Sequence, residues 1–382
     1  MRSFSCFSIC SCFNFVRPII QMKTEEEASG GLAERMRKEI RRRGPMPFAR
    51  FMELALYAPG LGYYERRRAI GRGGDFFTSV SVGPLFGQLL AFQFAQWVDA
   101  DCPGGAVQFI EAGPHDGVLA SDILAWMERH RPDLFARLEY WLLETSPMRR
   151  AWQEETLRLW LPKVKWAPDV QSLSVNGIIF CNEFLDALPV HRLAWSTGKW
   201  QEACVTVLDG AFAWEWRPAT EALWPRIPAE LAAALPDGFM VEVCPASTAW
   251  WMAAARSLWR GKLVAIDYGY SSGEQFQPSR AQGTLRAFRR HHASADLLSE
   301  PGEQDLTAHV DFSTLIEAGE SAGLRTEGLA RQSKFLTEIL ARARLAADSF
   351  GPWDEKQTRQ FQTLAHPEHL GHSFQALTQS RS

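Results

Sequence analysis

Three stretches hold acids and glycines where chemistry could be done. FIEAGPHDG, residues 109–117, is an apolar run ending in Glu111, then a turn with Gly113 and Gly117 at its ends and His115 and Asp116 inside. YWLLETS, residues 140–146, is a second apolar run closed by Glu144. CNEFLDALPV, residues 181–190, follows a third and offers Asn182, Glu183 and Asp186. Glycines at 113 and 117 let the backbone pass close to a ligand, with the N-terminus of the next helical segment at hand. This is not the G-x-G-x-x-G pattern for a dinucleotide. His115 stands at the middle glycine and the third glycine is missing, so a pyrophosphate lacks its cradle. Glu144 at the next strand end can accept both hydroxyls of a ribose. A loop poor in phosphate ligands, with Glu111 and Glu144 at two strand ends, suits a nucleoside that carries positive charge. S-adenosyl-L-methionine is such a ligand: a sulfonium, a ribose diol and no phosphate. The competing readings are a tight corner at the glycine turn and a solvated strand end at Glu144.

These residues need strands to carry them. AVQFIEA (106–112), RLEYWLLET (137–145), KVKWA (163–167), GIIFCNEF (177–184) and KLVAIDYG (262–269) read as short buried strands. Helical segments such as VLASDILAWMERH (118–130) lie between them. That alternation predicts an α/β fold, a mostly parallel sheet with helices on both faces. In GLAERMRKEIRRRG, Leu32, Met36 and Ile40 recur at helical spacing, and MPFARFMELALY forms a second helix. Residues 190–217 alternate as strands around STGK and LDG turns, an inserted antiparallel β-meander. The expected organisation is a leader over 1–29, an N-terminal helical part with the GDFFTS loop over 30–105, and a Rossmann-like core over 106–186 and 246–345. An inserted acceptor-side subdomain over 187–245 and a C-terminal helical tail over 346–382 complete it.

The chain has 382 residues and a net charge of −3, with 46% hydrophobic and 22% charged residues. No strong field favours nucleic acid, and no apolar run of membrane-spanning length occurs, so neither partner is expected. Cys6, Cys10 and Cys12 cluster without matching ligands nearby. His291, His292, His309 and Asp311 lack H-x-x-x-H spacing and read as loop-ordering hydrogen bonders, so no metal is expected. The tryptophans crowd into 195–259, as core packing or as anchors of a peptide groove. Residues 1–21 carry Arg2 and Arg17 and no acid, while Met22 opens MKTEEEASGG. An upstream start or a disordered leader, with a cytoplasmic protein, is expected; a transit peptide to the mitochondrial matrix is the alternative.

Nine blocks in one order resemble the MidA-like methyltransferases: PFARFMELALYAPGLGYY, GDFFTSVSVGPLFGQLL, EAGPHDGVLASDIL, LLETSPMRRAWQ, NEFLDALPV, VEVCPA, AIDYGY, GTLRAF and PGEQDLTAHVDFSTL. The resemblance runs from about residue 30 to about 345. The family includes a mitochondrial complex I assembly factor that dimethylates an arginine. It implies a class I Rossmann-like fold, S-adenosyl-L-methionine as cofactor and a protein substrate with an arginine acceptor. Two further readings stay open: a catalytically weak cofactor-binding assembly factor, and a small-molecule methyltransferase. The family carries glycine where this chain has His115 and arginine where it has Asp116. The exchanged loop then binds cofactor if the backbone at 115 avoids positive φ. His115 is thus a turn residue of the cradle rather than a base.

The resemblance also directs the acceptor chemistry. A guanidinium stays protonated and delocalised, hence a poor nucleophile. Carboxylates can hold its fork and polarise one nitrogen as charge moves. Glu183 is the first candidate for that grip and Asp186 the second, with Glu242 as a further carboxylate. Acids at a helix N-terminus are the alternative reading. Asn182 lies beside the cofactor. Asp75 and Thr78 follow a glycine-rich loop that the resemblance folds over the cofactor; otherwise they enter a helix capped by Ser79 or Ser81.

Overall fold

A computed structural model describes residues 31–66, 78–289, 292–294, 296–346, 350, 353–366 and 369–382. The leader expected over 1–29, Asp75 with most of its loop, and His291 lie outside the described residues.

Among the described residues eight strands form the central sheet; seven make its main path, β1 (Val107–Ala112), β2 (Leu138–Leu143), β3 (Val164–Ala167), β4 (Val175–Asn182), β5 (Leu258–Tyr270), β6 (Arg325–Arg331) and β7 (Phe374–Arg381), and Val310–Asp311 pairs in parallel with the end of β5. The spatial order of the seven is β3-β2-β1-β4-β5-β7-β6. The pairs from β3 to β5 are parallel, and β7 runs antiparallel between β5 and β6. Interior strands such as β1 and β4 are buried along nearly their whole length because helices cover both faces. Leu85–Asp101, Val118–His130 and Gln332–Leu345 lie on one face, packing Phe94, Leu124 and Ile339 against Phe109 and Phe180. Pro245–Ser257 and Phe312–Ser321 cover the other around Trp251 and Leu315.

The two N-terminal helices form at Leu32–Arg43 and Phe48–Tyr57. They are not a separate part. Met46 pairs with Val205 of the inserted sheet, and Phe48, Phe51, Val205, Leu285 and Ala287 share one apolar cluster. The meander consists of His191–Ser196, Lys199–Leu208 and Ala211–Pro218, joined by Met240–Val243. A second small sheet, Arg286–Arg289, His292–Ser294 and Asp305–Thr307, was not expected.

The expectation of a helical tail over 346–382 needs correction. After Glu355–Ala365 the chain returns to the central sheet as β7. Its polar sequence, FQALTQSR, hides a core strand because the polar groups find partners inside. Gln379 is fully buried, accepts from Trp251 Nε1 at 2.8 Å and donates to Ile316 O and Thr326 Oγ1. A satisfied amide removes the burial penalty that polar residues would otherwise exact.

Candidate functional site

The strand order reverses between β1 and β4, the place where open α/β sheets bind ligands. Parallel register sets Ala112 beside Leu143 and Cys181, and Asn182 beside Ile266. The ends of β1, β2, β4 and β5 therefore form one rim. Glu111, the 113–117 turn, Glu144, Asn182, Glu183 and Asp186 all stand on it.

On the β1–β2 side, Glu111 is buried and accepts from Tyr140 Oη at 2.6 Å. Burial pushes its carboxyl up to about 8, against that hydrogen bond. Gly113 and Gly117 have φ of 71° and 85°. A Cβ on Gly113 would lie 2.9 Å from the Phe184 side chain, and one on Gly117 3.1 Å from Leu157. Both glycines are thus required by conformation and by close approach. His115 adopts φ 45°, so the condition that its backbone avoid positive φ is not met. The strain is held by Gln153, whose Nε2 donates to His115 O at 2.8 Å. The His115 imidazole lies 3.5 Å from Asp116.

Glu144 is not a solvated strand end. Its side chain is 3% exposed; Oε1 accepts from Ser146 N at 2.7 Å and Arg149 Nη2 at 2.9 Å, and Oε2 from Gln153 Nε2 at 3.1 Å. Ser146 Oγ donates to Glu65, which also lies 4.0 Å from Arg149.

On the β4–β5 side, the segment after Asn182 is a turn, not a helix, so the helix N-terminus reading does not apply. Glu183 has φ 51° and accepts at Oε1 from Ser79 N (2.9 Å) and Asn182 Nδ2 (3.0 Å). Burial raises its carboxyl to about 8. Asn182 Oδ1 is buried with no hydrogen-bond partner among the described residues. Asp267, fully buried, gathers the turn: its Oδ2 accepts from the amides of Phe184, Leu185 and Asp186 at 3.1, 2.8 and 3.3 Å. Burial and the facing Asp267 push Asp186 well up, and burial takes Asp267 to about 6. Asp305 is buried close by and accepts from Tyr64 Oη at 2.7 Å. Burial leads the causes for all three carboxyls, and the neighbouring acids raise Glu183 and Asp186 further.

Thr78 and Ser81 bond each other, and neither Ser79 nor Ser81 caps the helix Leu85–Asp101. The GDFFTS segment instead reaches the site through Ser79 N on Glu183. Glu242 stands apart on the inserted sheet, bonded to Thr284. Asp311 caps the helix Phe312–Ser321, and His309, lowered to about 4 by burial, packs on Tyr268. Among the described residues no group of His, Cys, Asp or Glu is arranged to hold a metal, and no helix is long and apolar enough to cross a membrane.

Sequence reasoning missed Glu65, Arg149, Gln153, Asp267 and Asp305. Asp267 had a signal, an acid at the end of β5; Glu65 had none, being brought from far along the chain.

The rim fits a nucleoside cofactor: a glycine turn too narrow for side chains, an acid fixed at the β2 end, and the partnerless Asn182 Oδ1 beside β4. Comparison with known proteins agrees. Residues 89–330 match the family model described as "Putative S-adenosyl-L-methionine-dependent methyltransferase". A crystal structure from Burkholderia thailandensis bound to S-adenosyl-homocysteine superposes with TM-score 0.79 at 34% identity, covering 92% of each chain. The Drosophila melanogaster protein named "Protein arginine methyltransferase NDUFAF7 homolog, mitochondrial" is 30% identical over 92% of this chain and 85% of its own length. The Homo sapiens protein of corresponding name is 27% identical over 88% and 80%.

Proposed function

This chain belongs to the family of S-adenosyl-L-methionine-dependent methyltransferases, and from that premise we propose that it methylates an arginine on a protein partner. The observation that carries the reading is the β4–β5 turn: Glu183 and Asp186 stand together on the rim, raised by burial and by the neighbouring acids, as a pair of carboxyls that a cation would favour in ionised form. The printed names of the animal relatives point the same way.

In this reading Glu111, the turn from Gly113 through His115 to Gly117, Glu144 and Asn182 hold the cofactor, with Glu144 on the ribose hydroxyls. Thr78 adjoins Ser79, whose amide meets Glu183. When bound, the cofactor supplies an electrophilic methyl carbon. The protein's own task is to align the acceptor nitrogen and keep water out. A guanidinium entering the turn brings the charge that Glu183 lacks, so the carboxyl ionises to meet it. Bidentate contact then orients the fork. A carboxylate whose pKa burial has raised is also basic enough to take the proton that the methylated nitrogen releases.

The animal relatives are named mitochondrial. That supports the mitochondrial alternative for this chain and gives the cytoplasmic expectation no support.

The test is to incubate the protein with methyl-labelled cofactor and the proteome of its own cell, then map the labelled residue. Label on an arginine of a protein supports the reading. Label only on a small molecule replaces it with the small-molecule reading, and no label with the assembly-factor reading.

A further inference from the structure

We propose that Gln153 is a positioning residue that locks the two halves of the cofactor cradle together, the glycine turn after β1 and Glu144 after β2. The inference rests on the cofactor reading above.

Gln153 lies on the helix Pro147–Thr156, which follows β2, and is fully buried. Its Oε1 accepts from Trp166 Nε1 at 2.8 Å, which fixes the orientation of the amide. Nε2 therefore faces the rim, and its two hydrogens are divided between His115 O at 2.8 Å and Glu144 Oε2 at 3.1 Å. The backbone of the same residue lies against Gly117, 3.6 Å from where a Cβ there would sit. One side chain thus meets the turn at its carbonyl, the acid at its carboxylate, and the strand behind both.

The need for such a clamp comes from His115. A non-glycine residue persists in the left-handed region only where its surroundings over-determine it. The carbonyl of His115 belongs to that strained turn, and Gln153 is its hydrogen-bond donor. Without the amide, the turn can relax to negative φ and carry the backbone out of the narrow gap beside Phe184. Glu144 loses a donor at the same moment.

A buried glutamine can also be an ordinary satisfied core residue. Suppression separates the two roles. Glycine adopts φ near 45° without strain, so a glycine at 115 needs no clamp on its carbonyl. Calorimetry with S-adenosyl-homocysteine on the full chain reads the outcome. Q153A and Q153M are expected to weaken binding by about 10-fold or more, the scale of losing a hydrogen bond to a charged group. Whatever the affinity of H115G itself, H115G/Q153A should bind within about 5-fold of H115G, so that the loss caused by Q153A is largely absent in the glycine background. Loss in Q153A with no recovery in the double variant overturns the inference, as does unchanged affinity in Q153A while wild type binds. Absence of binding by the folded wild type overturns the cofactor reading and the inference with it. Should the Gln153 variants not fold, wild type with a 15N-labelled side-chain amide decides. Slow exchange of both Gln153 amide protons, slowed further by S-adenosyl-homocysteine, supports the clamp. Exchange at the free-amide rate overturns it.

Discussion

The two sides of the rim solve the problem of buried acids in opposite ways. At the β1–β2 end, Glu144 and Glu65 share the guanidinium of Arg149. Burial pulls that guanidinium down, yet the two acids hold it above its ordinary range. At the β4–β5 end, Glu183 and Asp267 accept amide N–H groups, Asp186 faces Asp267, and burial pushes all three upward. The first cluster is complete in itself and serves as a rigid wall. In the second, burial raises every carboxyl, so an arriving cation would favour their ionisation. In the proposed function, the cofactor would bind where the geometry is already fixed and the acceptor guanidinium where the charge balance is not.

The sharpest way to break the contrast is Glu183→Gln, which keeps shape and removes ionisation. Methyl transfer should fall about 10²-fold or more, with cofactor affinity within a few-fold. Collapse of cofactor binding in calorimetry would place Glu183 in the wall instead. Glu144→Ala should show the mirror image: cofactor binding weakened by about 1.5–3 kcal/mol through loss of a charged partner, with Arg149 left to Glu65 alone and a lower Tm. Unchanged affinity would remove the ribose role from Glu144.

Asp267→Asn should leave the fold intact and lower stability by about 1–2 kcal/mol in urea titration, because the carbonyl oxygen that remains can still serve the 184–186 amides while the bond from Tyr268 N is lost. A change under about 0.3 kcal/mol would show that the turn holds itself.

The smallest effect is in pH. Glu183 is held at about 8 and Asp267 at about 6, both above their ordinary values. Their stabilisation is present at low pH and is lost as pH rises through about 6 and then about 8. Tm should therefore decline between those values, and Glu183→Gln should flatten the upper part of the decline. Glu111, held at about 8 on the other side, should leave a residual slope that Glu111→Gln removes. A slope untouched by either substitution would show that burial of these two carboxyls does not control it.

Local pattern made much of this molecule legible. The apolar runs that become β1, β2, β4 and β5, the glycines at 113 and 117, and acids standing at strand ends are all set within ten residues or so, where periodicity and turn chemistry act. From these followed a doubly wound sheet and the rim as the ligand site. What local pattern could not contain was decided by packing between distant segments. FQALTQSR became a core strand because Trp251, Ile316 and Thr326 satisfy Gln379. Glu65 met Arg149 across the chain, Asp267 drew the 184–186 amides together, and Gln153 held His115 in a conformation that histidine avoids when alone. A buried polar group or a strained dihedral is tolerated only when partners surround it, and those partners exist only once the chain has folded.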